Sequence, residues 1–436
     1  MTAEPHDAAP YPPRVYAWCV LAILVGTAVL SYTDRQVLSL LVDPLRHDLG
    51  ISDTQVSLLL GTAFAVIYGL AGIPFGLLAD RASRRNLICA GVLVWSVGTV
   101  ACGYSQTFAQ LFIARIVVGL GESVLSPAAI SLISDYFPPA RRGTVVGCFL
   151  SGIAIGNGAA ILIGGGVLHL VESGALAATP LGAVSAWRMV LLLIGAPGFL
   201  WALLILAIRE PERRVSAGGA GAAVPLRRAA LLAVAPVYFV VASASLVDNA
   251  VGAWAPTLLI RGFGRDPAQV GVQLGLLLTI GFGGGVLAGG ALSDLVGGDG
   301  HWQRKLGVCL VASVLILPVA AAINAPHAAV VMGAVPTYFA LSGIVTACGF
   351  SAILDAVPAR HRGFAMALSF FLNVALGAGL GPTAVALAAA HVFGAPAGLG
   401  PPLAFTAAAG YLLVAVVLAI SLMALGRNRA RAAPER

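Results

Sequence analysis

Twelve apolar segments, each long enough to cross a bilayer, constrain this chain more than any other feature. Their approximate bounds are 15–43, 53–79, 85–105, 108–136, 142–170 and 187–208, then 231–261, 267–295, 303–323, 328–356, 363–393 and 402–426. About 20 apolar residues span the roughly 30 Å of bilayer hydrocarbon. In lipid a spanning segment must satisfy its own backbone hydrogen bonds, which leaves the helix. Only 10% of the 436 residues are charged and 59% are hydrophobic, where a soluble domain carries about 25% charge. The predicted class is an all-α membrane protein with twelve transmembrane helices.

Arginine placement orients the helices. With both termini cytoplasmic, 19 of the 25 basic residues fall inside, among them Arg81, Arg84, Arg85, Arg141, Arg142, Arg304, Lys305, Arg360 and Arg362. Arg46, Arg188, Arg261 and Arg265 fall outside, and Arg35 and Arg115 stay in the membrane. Such a bias is the positive-inside signal, so the net charge of +7 belongs to the inner membrane surface, not to a nucleic-acid partner. The start, MTAEPHDAAPYPP, is acidic and proline-rich where a signal peptide is basic, so no cleavage is expected. The six cysteines are scattered through apolar segments and read as small core side chains.

The order along the chain is a cytoplasmic tail (1–14), six helices (15–208), a cytoplasmic linker (209–230), six more helices (231–426) and a second tail (427–436). The linker REPERRVSAGGAGAAVPLRR is charged at its ends and Gly/Ala-rich between, the composition of a flexible connector. The halves repeat. SDTQVSLLLG…FGLLAD matches RDPAQVGVQLG…AGGALSD, with Gln55 and Gln269, Gly76 and Gly290, and Asp80 and Asp294 each 214 positions apart. The same offset sets Asp34 against Asp248, while DYFPPARRG from Asp135 matches DAVPARHRG from Asp355 at 220.

The segment Gly76-Leu-Leu-Ala-Asp80-Arg81-Ala-Ser-Arg84-Arg85 resembles the loop 2–3 signature of the major facilitator superfamily, with Ser83 where glycine is usual. YTDRQ at Asp34, ARIVVGLGES from Ala114, ISDYFPPARRG from Ile133 and LNVALGAGLGP from Leu372 are similar to the spinster-like transporters of that superfamily. The resemblance implies two pseudo-symmetric six-helix bundles, the major facilitator fold, with substrate and coupling ion meeting near the midplane. It also implies coupling and substrate charges at Asp34, Arg115 and Glu122. The Gly-Pro step of drug antiporters is absent from helix 5, where Asn157 follows Gly156.

The residues point the same way. An ionisable group at bilayer depth costs about 2.5–3.5 kcal/mol and marks an ion or substrate path unless it is a structural ion pair. Arg115 and Glu122 stand seven residues apart on one face of helix 4, about 10 Å along its axis. Asp34 and Arg35 interrupt helix 1, where the alternative is a local pair snorkelling to the outer surface. Asp248 is the polar position of helix 7, for cavity lining or helix packing. These five are the proton-coupling and substrate residues. A proton arriving at a carboxylate would free Arg115 from Glu122 or Asp34 for a substrate anion. His6, His47, His169, His301, His327, His361 and His391 lie in the tail, in loops or at segment ends, which leaves the proton to a carboxylate.

Asp80, Arg81, Arg85, Asp135, Arg141, Asp294 and Asp355 sit at cytoplasmic helix ends, where the resemblance implies an inner gate. Phe64 and Tyr68, one turn apart, read as a packed aromatic pair, and Pro127 and Pro382 as kinks. No ATP-binding loop, zinc-protease motif or nucleophile elbow occurs, so neither an enzyme nor a cofactor is expected. The expected molecule is a monomeric, multi-pass secondary transporter of the bacterial-type plasma membrane. Its partners are protons, membrane lipids and an amphipathic or anionic substrate of lysolipid type. The alternatives are an organic-acid/proton symporter, a multidrug/proton antiporter or a membrane sensor.

Overall fold

A computed structural model describes residues 11–79, 81–174, 184–213, 228–296, 302–357, 362–394 and 398–432. Helices account for the regular structure of these residues. The first half comprises α1 (Arg14–Leu40), α2 (53–79), α3 (Arg84–Tyr104), α4 (Phe108–Tyr136), α5 (Pro139–Glu172) and α6 (Ala186–Leu206). The second comprises α7 (Arg228–Phe263), α8 (Pro267–Val296), α9 (Trp302–Ala322), α10 (Ala328–Ala356), α11 (362–393) and α12 (Gly400–Ala432). The helix after α1 is separate and short, Val42–Leu49, and ends at Gly50, whose φ of 62° a side chain would resist. α12 runs to Ala432, so residues expected in the tail continue its last turns. α7 begins at Arg228, inside the expected linker, whose residues 214–227 lie outside those described.

Local chemistry sets the ends. Ser52 and Gln55 form a reciprocal capping box at the start of α2. Ser83 caps α3 through the Asn86 N–H, and Thr107 caps α4 through the Gln110 N–H. α4 breaks at Ser123 and Val124, where Pro127 has no N–H to offer the carbonyl four residues back. π turns interrupt α2 at Leu58–Thr62 and α11 at Asn373–Ala378, with Pro382 following in α11.

Within the first half α1 packs on α5, and α3 on α4 and α6; in the second, α10 packs on α8 and α9, and α12 on α7 and α9. Large aliphatic side chains such as Leu70, Ile113, Leu200, Leu287 and Val311 point outward, as lipid-facing surfaces require. The halves join on the side of the membrane away from the termini. There α5 lies against α8 with Gly165 facing Gly271: a Cβ on Gly271 would fall 2.6 Å from the Gly165 Cα. The two π turns also meet. Thr62 Oγ1 donates to the Gly379 carbonyl at 2.9 Å, and a Cβ on Gly61 would fall 2.4 Å from the Ala378 oxygen. On the same side Arg261 of α7 binds Asp43 and Asp53 of the first half, and Thr257 Oγ1 donates to the Ser39 carbonyl at 3.4 Å.

Candidate functional site

Helical periodicity assembles the first cluster. Ser31, Asp34 and Arg35 share one face of α1 at i, i+3 and i+4, and face Arg115 and Glu122 on α4. Arg35 Nη2 meets Glu122 Oε2 at 2.7 Å, and Ser31 Oγ donates to the same oxygen at 2.7 Å. Arg115 Nη1 stands 3.9 Å from Asp34 Oδ1, while Thr99 of α3 donates to Asp34 Oδ2. A π turn shifts main-chain bonding by a residue; within that of α2 the Leu59 carbonyl accepts from Arg115 Nε at 3.3 Å. The Arg35 guanidinium lies 4.1 Å from the centroid of Phe64, 4.4 Å from that of Tyr32 and 4.9 Å from that of Tyr68, within cation–π range.

The pairing is therefore crossed between helices. Asp34 and Arg35, adjacent in sequence, each take a partner on α4; Arg115 is held by Asp34, and Glu122 by Arg35. The side chains of Arg35 and Glu122 are 8% and 0% exposed and those of Arg115 and Asp34 are 1% and 5%, so the polar interior is built from one another and not from open solvent. Phe64 and Tyr68 are stacked, with centroids 5.2 Å apart. Buried inside this cluster, Asp34 Oδ1, Glu122 Oε1, Arg35 Nε and Arg115 Nη2 have no hydrogen-bond partner.

The second half carries a cluster of another kind. Asp248 on α7 lies among three hydroxyls: Tyr338 and Ser342 of α10, one turn apart, and Tyr411 of α12. No Lys or Arg pairs with it among the described residues. Asn249 beside it donates to the Ser245 carbonyl at 2.9 Å.

At the terminus-side helix ends, Arg84 is buried and binds Asp135; its Nε donates to Glu210 Oε1 at 2.8 Å. Glu210 Oε2 also accepts from the Arg85 main-chain N–H at 2.8 Å and from Ser83 Oγ at 3.0 Å. Burial pulls the Glu210 carboxyl upward, but the bonds from Arg85, Arg84 and Ser83 outweigh it and hold it below the ordinary glutamate range. The second half repeats the arrangement, with Ser351 and Asp355 220 positions beyond Ser131 and Asp135 and the cation one position further on: Lys305 Nζ binds Ser351 and Asp355 as Arg84 binds Ser131 and Asp135.

The expected gate residues divide accordingly. Asp135 and Asp355 enter these networks; Arg85 contributes its N–H and donates to the Ile208 carbonyl at 3.3 Å. Arg81, Arg141 and Asp294 are exposed, and Asp80 lies outside the described residues. Sequence reasoning missed Arg84, Lys305 and Glu210 as network members. The offset of 220 would have found the serine and aspartate positions, while Glu210 was absorbed into the linker. Ser31, Thr99, Tyr338, Ser342 and Tyr411 carried no signal, being ordinary residues of apolar helices.

A family model described as Major Facilitator Superfamily matches residues 24–382. An MFS-type efflux pump of Mycolicibacterium smegmatis is 28% identical over 376 residues, covering 85% of this chain and 84% of its own. The hexuronate transporter of Bacillus subtilis is 25% identical over 374 residues, covering 81% and 83%. The crystal structure of a bacterial homologue of the human lysosomal transporter Spinster, inward-facing and occupied, matches with a TM-score of 0.76 at 25% identity, over 94% of this chain and 96% of that one.

Proposed function

The chain belongs to the Major Facilitator Superfamily, with spinster-like relatives, and on that premise we propose that it is a proton-coupled secondary transporter. Its cargo in this reading is an amphipathic or anionic organic molecule of lysolipid type, moved across the plasma membrane with both termini cytoplasmic. The observation that carries the reading is the crossed quartet Asp34–Arg115 and Arg35–Glu122, buried in the helices with four polar atoms unsatisfied. A buried ion pair stands only while both charges are present; losing one leaves the other uncompensated at about 3–5 kcal/mol. Protonation of Glu122 or Asp34 therefore releases a guanidinium, whose replacement partner is the anionic head of the substrate. The arginine asymmetry makes the joined side of the two halves the outer one, which supports an inward-facing arrangement. Asp135 and Asp355, with Arg85 and the exposed Arg81, Arg141 and Asp294, belong to the opposite gate.

A second reading, an organic-acid/proton symporter, is supported by the similarity to the hexuronate transporter. Purified protein in proteoliposomes with an imposed pH gradient, offered a lysophospholipid or a hexuronate, tests both. One class should move only with the gradient, and Glu122→Gln should lower that movement at least tenfold. Movement of both classes without the gradient, or of neither with it, sinks the proton-coupled reading.

A further inference from the structure

A cavity of about 200 Å³ opens where the start of α1 meets the turn from α4 to α5. Tyr11, Arg14 and Trp18 line it from one side, and Tyr136, Phe137 and Arg141 from the other. Its walls are aromatic, with the Trp18 and Phe137 rings edge to face and their centroids 5.6 Å apart. Three donors in it are free. Neither the Arg14 nor the Arg141 guanidinium has an ion-pair or hydrogen-bond partner among the described residues, and neither has the Trp18 indole N–H. The Tyr136 hydroxyl is spent on the Arg209 carbonyl, and the neighbouring carboxylates Asp135 and Glu210 are taken by Arg84. Pro13 and Pro138 leave the first turns of α1 and α5 without a side-chain cap, which adds to the positive field.

We infer that this cavity binds the phosphate head of an anionic phospholipid at the terminus-side face of the membrane. Guanidiniums fork onto phosphate oxygens, and the indole N–H supplies a further donor. Position selects a lipid over a soluble anion. Arg14 begins a spanning segment, and Val15 and Trp18 beside it point outward, 78% and 42% exposed. Such side chains in the first turn of a span lie at headgroup level. Size agrees. The space is many times a water's share of roughly 30 Å³, yet below the roughly 300–1,000 Å³ that encloses a whole drug-sized ligand. A head fits while its acyl chains stay in the bilayer along Val15 and Trp18. An ethanolamine or choline head brings a cation towards two arginines, so the glycerol-headed anionic class is the better match. Placement in the inner leaflet rests on the termini being cytoplasmic; the headgroup contacts rest on neither that orientation nor transport.

Native mass spectrometry of the purified full-length protein tests the site, with phosphatidylglycerol titrated against phosphatidylethanolamine of the same acyl chains. The first phosphatidylglycerol should bind at least tenfold more tightly. Arg14→Gln with Arg141→Gln should abolish that preference and melt as the parent does, because neither guanidinium holds the protein together. Arg304→Gln with Arg427→Gln, equal in charge, should keep it. A preference that survives the first pair, or that both pairs lose equally, reflects general attraction to basic residues and overturns the site. A first pair that fails to fold overturns it as well. Soluble glycerol 3-phosphate competing as well as the lipid would remove the lipid as occupant. A preference that appears only on deleting residues 1–10, which carry Glu4 and Asp7, would give the cavity to the chain's own acidic start. Lipid preference without gradient-driven transport in proteoliposomes removes the proton-coupled reading and leaves the site.

Discussion

Arg35 of α1 meets Glu122 of α4 at 2.7 Å, 87 positions along the chain, and passes over Asp34 beside it. Removing either charge strands the other in the bundle. Arg35→Ala should therefore destabilise by about 3–5 kcal/mol, and Arg35→Gln with Glu122→Gln together should cost far less than the sum of the single changes. Thermal melts of the four proteins read the coupling; simple additivity would show that the pair does not interact.

Arg35→Lys separates charge from shape. The planar guanidinium lies against Phe64, Tyr32 and Tyr68, and an ammonium neither stacks nor forks in the same way. Stability should fall by about 0.5–2 kcal/mol with the Glu122 pair retained. A melt matching the parent would mean the aromatic cage contributes nothing.

Glu210 makes the terminus-side network acid-sensitive. Its carboxyl titrates below the ordinary value of 4.5, so its bonds to Ser83, Arg84 and Arg85 act fully above that pH. They are lost as pH falls through the lowered folded-state value. Glu210→Gln should lower the melting temperature at neutral pH and flatten its decline under acid. Parallel melting curves for parent and variant below pH 4.5 would refute the assignment.

Arg261 bridges the halves through Asp43 and Asp53. Each partly exposed pair is worth roughly 0–1 kcal/mol, so Arg261→Ala should loosen this side without unfolding the protein. In a Thr257→Cys background, labelling by a membrane-impermeant thiol reagent should rise about fivefold, the ratio for ~1 kcal/mol. Unchanged labelling would remove Arg261 from the closure.

Gly271 sets the contact of α5 with α8. A side chain there meets the Gly165 backbone, and overpacking costs about 1–3 kcal/mol. Gly271→Val should widen the spin-label distance between the outer ends of α5 and α8. An unaltered distance would mean that the contact is not tight.

Much of this molecule was legible without coordinates because membrane insertion is a local decision. Hydropathy over about 20 residues commits a segment to lipid, and arginines at the ends orient it; the observed helices follow the twelve segments closely. The helical repeat also put Arg115 and Glu122 on one face, and the offset of 214 named Asp248. Which charge each residue meets was not written there. Asp34 turned to Arg115 and Thr99, Arg35 to Glu122, and Asp248 to two tyrosines and a serine. Such partners depend on how each helix is rotated against its neighbours and on where a π turn or proline shifts the register. Packing across distant segments decides those angles, and no local window of sequence contains them.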